Sequence, residues 1–199
     1  MKKPDARTRI LDAAQALFFE RGYSEVGINE IIARADTAKA SFYQHFPSKE
    51  ALCEAWLDSI HYRSVVRMEA TLAASGTPEE KIRAFFIHLG NFLEANHFRG
   101  CPFSNTSAVI DTGCDGIRQH IIRHKQSVRD FLLTLSREIC PEDAAATRLA
   151  DTLFLLYSGA TAEAQNARAL WPVESACAAV SQLCESARFR TFSNPTVSA

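Results

Sequence analysis

The chain has 199 residues, 47% of them hydrophobic and 23% charged, a packed globular composition that excludes an intrinsically disordered chain. Its net charge of −1 supplies no strongly basic field for a polyanion: residues 1–50 hold eight Lys/Arg against seven Asp/Glu, and the rest fourteen against sixteen. Any nucleic-acid signal must therefore come from local placement. No apolar run approaches the roughly 18–20 residues of a membrane span, so no membrane partner is expected. Cys53, Cys101, Cys114, Cys140, Cys177 and Cys184 form neither a CxxC pair nor a Cys/His cluster with zinc spacing, so no metal site and no cofactor are expected. The N-terminus is basic but immediately polar, unlike a secretory leader, and reduced thiols and a cytoplasmic location are expected.

Apolar residues repeat at helical spacing nearly throughout, and the pattern predicts an all-α chain of about nine helices. Residues 5–21 place Ile10, Ala14, Leu17 and Phe18 on one stripe, and Gly22 stands where that helix would stop. Ile28, Ile31 and Ile32 mark a second, short helix ending near Ala35-Asp36, and a third runs from about Ala38 to His45. Ser48 is a suitable N-cap for a fourth, with Leu52, Trp56 and Ile60 at i, i+4 and i+8. Pro78 opens a fifth, whose face is Ile82, Phe85, Phe86, Leu89, Phe92 and Leu93. A broken stretch with one short helix follows. A long helix at about 115–139 carries Ile117, Ile121, Val128, Phe131, Leu135 and Ile139, and two more are expected near 142–167 and 173–187. The tail from Arg188 has few anchors and is expected to be loosely held.

Two helices of about seven residues joined by Ala35-Asp36-Thr37 have helix-turn-helix geometry, with the second helix offered to a DNA major groove. With Phe42 and Phe46 turned inward, Thr37, Ala40, Ser41 and Gln44 fall on or near the opposite face, which is small and hydrogen-bonding. Gln44 suits adenine and the Ala40 methyl suits a thymine methyl. Lys39, Tyr43 and His45 flank them, placed for phosphates. Lys49, in the first turn of helix 4, is disfavoured there by the helix dipole unless an anion joins it, and a DNA phosphate would do so. A solvated face with an ordinary exposed lysine is the bland alternative.

The stretch TRILDAAQALFFERGYSEVGINEIIARADTAKASFYQHFPSKEAL, Thr8 to Leu52, resembles the DNA-binding region of the tetracycline-repressor (TetR) family of bacterial regulators. The match runs through Ile10-Leu11, Ala13-Ala14, Phe18, Gly22-Tyr23, Ile31, Ala35, Lys39, Phe42-Tyr43, Phe46 and Lys49. The resemblance implies a helix-turn-helix DNA-binding domain over residues 1–47 and an effector-binding and dimerisation domain over 48–199. It also implies a homodimer on double-stranded operator DNA and a small-molecule effector. Gly27, Asp36, Ala38 and Ala40 depart from the hydroxyl and glycine residues usual at those positions, which bears on operator sequence rather than fold.

Beyond residue 48, aromatic residues exceed what one bundle seam needs; they fill a solid core or line an effector cavity. Candidate lining residues are Trp56, Phe85, Phe86, Leu89, Phe92, Cys101, Phe103, His124, Phe131 and Tyr157. His124 on the apolar side of its helix and Glu163 within an apolar stretch require partners if buried. Residues 151–165 are apolar or small nearly all round and 173–187 carry a small-residue stripe. The resemblance implies that the last two helices form a four-helix dimer interface, with Leu153, Leu156, Gly159, Ala160, Ala176, Val180 and Leu183 as candidates. Cys101, beside Arg99 and just before a short helix, has a setting that lowers a thiol pKa, and its glycine-cysteine pair resembles an electrophile- and oxidant-responsive subgroup of the family. An inert buried cysteine is the alternative. No catalytic residues are expected, and a helical enzyme using Cys101 with His97 or His124 lacks a third member at recognisable spacing.

Overall fold

The computed structural model describes residues 4–192, with side chains through Arg188. Among the described residues it has nine helices and no strand: α1 (Ala6–Arg21), α2 (Ile28–Arg34), α3 (Lys39–His45), α4 (Lys49–Ala73), α5 (Pro78–Ala95), α6 (Pro102–Ser107), α7 (Asp115–Ile139), α8 (Asp143–Ala167) and α9 (Trp171–Phe192). Helix ends follow local chemistry. Asp5 caps α1 by accepting from the Thr8 amide at 2.9 Å, and Gly22 stops it at φ 91°, donating back to the Phe18 carbonyl. Thr77 and Glu80 cap each other's backbone ahead of α5, with Pro78 at its first position, where no amide hydrogen bond is lost.

Packing divides the chain into two compact units. The first comprises the described residues up to Ser64 together with Cys101–His124; the second comprises Val65–Gly100 and the residues from Lys125 onward. The first core gathers Ile10, Ala14, Leu17 and Phe18 of α1, Ile31 of α2, Phe42 and Phe46 of the α3 region, Leu52, Trp56 and Leu57 of α4, then Phe103, Ile117 and Ile121. Trp56 meets Phe18 and Phe19 edge-on. The second core is built on Ile82, Phe86, Leu89 and Leu93 of α5, Val128, Leu132 and Leu135 of α7, Leu149 and Leu153 of α8, and Val173 and Val180 of α9.

Several expectations change in the second unit. α9 starts at Trp171 and continues to Phe192, so the stretch just past Arg188 extends the helix; residues 193–199 of the expected tail lie outside the described residues. Glu163 is exposed and needs no buried partner. Phe85 stacks on Tyr157 and meets Phe131, each at 4.8 Å, and Phe86 meets Tyr157 edge-on. Leu153, Ala160, Ala176 and Val180, candidates for an interface between chains, are buried in this core within the one chain. The side of α8 and α9 left outward carries instead Leu155, which is 68% exposed, Gly159 and Ala162, with Leu156 and Leu183 half-buried beside the core. Of the seven candidates, Leu153, Ala160, Ala176 and Val180 thus point inward, while Gly159 is exposed and Leu156 and Leu183 lie at the margin of the core.

Candidate nucleic-acid interface

α2 and α3 have seven residues each and neither has a side-chain N-cap: Gly27 precedes α2 and Ala38 precedes α3. Such short helices are marginal alone, and tertiary contacts hold them. Ile31, Phe42 and Phe46 are fully or almost fully buried; Phe42 packs against Phe46 and edge-on against Tyr43. The connecting turn puts Asp36 in the left-handed region at φ 47°, a position glycine fills without steric cost.

Anchoring Phe42 and Phe46 inward fixes what faces out. Lys39, Ala40, Gln44 and His45 are exposed, Tyr43 is 44% exposed, and Thr37 and Ser41 are half-buried at the margin. The result is a narrow ridge of short and hydrogen-bonding side chains on one helix, whose dimensions suit a major groove.

Lys49 sits beside this ridge and is not the fully exposed lysine of the bland alternative. Its ammonium lies 4.4 Å from the Tyr23 ring centroid and 3.4 Å from the Ser24 carbonyl oxygen. Partial burial lowers its pKa, against the opposing charge of Glu50. The Tyr23 hydroxyl donates to Glu50 at 3.3 Å, while burial and the Glu50 charge raise the tyrosine pKa. Ser48 caps α4, accepting from the Ala51 amide at 3.1 Å. Arg7 is a cation the sequence did not single out; its guanidinium carbon stands 5.4 Å from the Phe46 ring centroid. Its signal was its place on α1 off the Ile10–Ala14 stripe, which says only that it faces outward.

The candidate effector residues fall into both units. Trp56, Cys101, Phe103 and His124 belong to the first, and Phe85, Phe86, Leu89, Phe92, Phe131 and Tyr157 to the second. His124 is buried, its ring stacked on Phe103 at 3.7 Å and its Nδ1 3.5 Å from Nδ1 of His61, so an intramolecular contact supplies a partner. Cys101 is half-buried at the N-cap position of α6. Burial disfavours the thiolates of Cys53, Cys140 and Cys184, the last pushed up to about 11.

A polar recognition ridge on a buried-aromatic base, joined by a tight turn to a supporting helix, defines a helix-turn-helix DNA-binding transcriptional regulator. The family profile for bacterial regulatory proteins of the tetR family matches residues 10–56, which spans that structure, and the helix-turn-helix region of the chain is that of this family. It is 28% identical over 188 residues to the HTH-type transcriptional repressor NemR of Escherichia coli (strain K12), covering 90% of this chain and 94% of that one. Similarity to the repressor DhaR of Mycobacterium sp. (strain GP1) is 28% over 166 residues, 80% and 82% of the two chains. Among solved structures, a TetR-family regulator from Streptomyces coelicolor superposes with TM-score 0.83 at 25% identity, covering 92% of this chain and 96% of that one. The reduced form of E. coli NemR does so with TM-score 0.77 at 25% identity, over 90% and 97%. A regulator's fold and ridge replace the cysteine-dependent enzyme as an account of the chain.

Proposed function

We propose that the protein is a cytoplasmic, homodimeric repressor that binds a palindromic operator and is released by a small-molecule effector or by modification of a thiol. The observation that carries this reading is the exposed ridge of Lys39, Ala40, Tyr43 and Gln44 above buried Phe42, flanked by Thr37, Ser41, His45 and Lys49. The names of NemR and DhaR, both repressors, support the sign of regulation. Functionally, residues 1–47 are the DNA-binding part and 48–199 the effector-binding and dimerisation part.

The two recognition helices of the dimer enter successive major grooves about 34–36 Å apart. α4 runs unbroken from Lys49 to Ala73, so its DNA-proximal start is covalently continuous with the effector-binding part. An effector that binds better to a conformation with the wrong helix spacing shifts the population away from DNA. Within the second unit, Phe85, Phe131 and Tyr157, whose rings meet one another, and the half-buried Phe92 are the proposed effector-facing set. Cys53, Cys140 and Cys184 are buried and Cys101, Cys114 and Cys177 half-buried; of these three, Cys101, at the N-cap position of α6, is the proposed thiol. Leu155, Leu156, Gly159 and Leu183 are the proposed contacts of the dimer.

The test is to select duplexes from a randomised library with the purified protein and to measure stoichiometry by sedimentation. The reading expects an enriched two-fold symmetric sequence bound by two chains. Leu155→Glu should give monomers with weakened operator binding. Enrichment of an asymmetric site by a monomeric wild-type protein would refute it.

A further inference from the structure

We propose that Arg9 is the positioning residue of the recognition helix: by holding the two carbonyls of the turn, it fixes the direction in which α3 projects and so sets operator selectivity without touching DNA. The inference rests on the reading of α3 as the recognition helix.

Arg9 stands on α1 beside fully buried Ile10. Its Nε donates to the Ala35 carbonyl at 3.0 Å, Nη2 to the Asp36 carbonyl at 3.2 Å and Nη1 to the Pro4 carbonyl at 2.7 Å. One planar fork thus ties three segments: the approach to α1, the C-terminal cap of α2, and the turn residue in the left-handed region. The charge also complements the negative end of α2.

Local forces hold this turn weakly. The Asp36 amide reaches the Ala33 carbonyl at 3.2 Å and the Thr37 amide reaches Ile32 at 3.3 Å, both at the long end for N–H···O bonds. Asp36 bears a side chain at φ 47°, and no side chain caps the start of α3. Arg9 adds charge-assisted bonds to both carbonyls of the turn itself. Gln44 lies six residues beyond Ala38, about 9 Å along the helix. A pivot of roughly 10° at the turn would move it by about 1.5 Å, enough to break a hydrogen bond to a base edge. Lysine cannot replace this function, because a single ammonium has no fixed fork to span neighbouring carbonyls.

The guanidinium is committed to carbonyls, so Arg9 differs from a phosphate contact in a measurable way. Arg9→Lys and Arg9→Gln are compared with wild type on two probes, the duplex selected by the wild-type protein and poly(dI-dC), below the melting transition of each variant. Both variants should lose about tenfold to a hundredfold on the selected duplex, the range of one or two lost base contacts. Binding to poly(dI-dC) and the salt slope should stay within about twofold of wild type. Equal losses on both probes with a shallower salt slope would make Arg9 a phosphate contact and overturn the proposal. So would unchanged binding to the selected duplex, or a loss that tracks loss of helical circular dichroism in both variants. Gln44→Ala run alongside separates the premises: if it leaves selectivity intact, the assignment of α3 fails; if it alters selectivity while Arg9→Lys does not, only the role of Arg9 fails.

Discussion

Replacing Lys49 by alanine separates a phosphate contact from a structural one, because the structure sets both magnitudes. In the free protein the ammonium rests 4.4 Å from the Tyr23 ring centroid, worth about 0.5–1 kcal/mol for a partly exposed cation–π contact. Against this stands the cost of a cation in the first turn of α4, a few tenths to about 1 kcal/mol. The two nearly cancel, so Lys49→Ala should change unfolding free energy by less than about 1 kcal/mol in urea titrations. On DNA nothing cancels. Each phosphate neutralised contributes about 0.9 to the slope of log K against log salt, so two copies per dimer contribute about 1.8. Over a fourfold salt change, from about 50 to about 200 mM, that slope amounts to roughly twelvefold in affinity. Fluorescence anisotropy across that range should give Lys49→Ala a slope shallower by about 1.8 on selected duplex and on poly(dI-dC) alike. A weakened but parallel line would refute the phosphate role and leave Lys49 a partner of Tyr23 only.

Gln44→Ala should leave the salt slope unchanged while relaxing preference at one base pair per half-site, by about 1–3 kcal/mol in repeated selection; unchanged preference would remove Gln44 from base readout. Gly27→Ser should stabilise the protein by roughly a few tenths of a kcal/mol, since a Cβ there meets nothing within 4 Å and the backbone is already extended at φ −87°, ψ 151°. A lower urea midpoint would contradict the proposed cap. Acidification should destabilise the fold through His61 and His88. Burial holds both below the ordinary 6.5, helped by Arg123 and His120 at His61 and by Arg67 at His88. Above that value both are neutral folded or unfolded; below it the unfolded chain gains protons that the folded chain resists, so stability falls as pH drops from there toward the folded pKa values. The urea midpoint should decline between about pH 7.5 and about pH 5.5, and less so in His61→Gln with His88→Gln; equal declines would discharge these imidazoles.

The helix-turn-helix was legible because its signals are local. Ile10, Ala14, Leu17 and Phe18 keep helical spacing, Gly22 stops α1, Ser48 caps α4, and each does in the structure what its type and place predict. The outward ridge followed once Phe42 and Phe46 were assigned inward. What the sequence concealed depends on partners far along the chain. The purpose of Arg9 is invisible without knowing that Ala35 and Asp36 stand beside it, 26 and 27 residues later. The contact of Lys49 with the Tyr23 ring is equally invisible locally, because that ring is 26 residues upstream. α8 is harder to phase for another reason: over residues 151–165 small and apolar residues run nearly all round, so its sequence does not tell the buried Leu153 from the exposed Leu155. Only packing against α5 and α9 distinguishes them.

The DNA-facing elements are also the ones with the weakest local specification. α2 and α3 lack side-chain caps, span two turns each, and meet at a non-glycine residue in the left-handed region. Propensity alone would not hold them. Their geometry is imposed from outside: by Phe42 and Phe46 in a core shared with α1 and α4, and by a guanidinium on the turn. A recognition element built this way transmits changes in its support directly into helix direction, because little within the element resists them. A stabilising substitution inside the pair, such as a serine cap at Gly27, therefore acts on stability with little effect on direction, whereas a change at its supports acts on both. Thermal stability and operator selectivity should thus separate between these two groups of positions, and a library scored on both properties should divide at the boundary between the helix pair and what holds it.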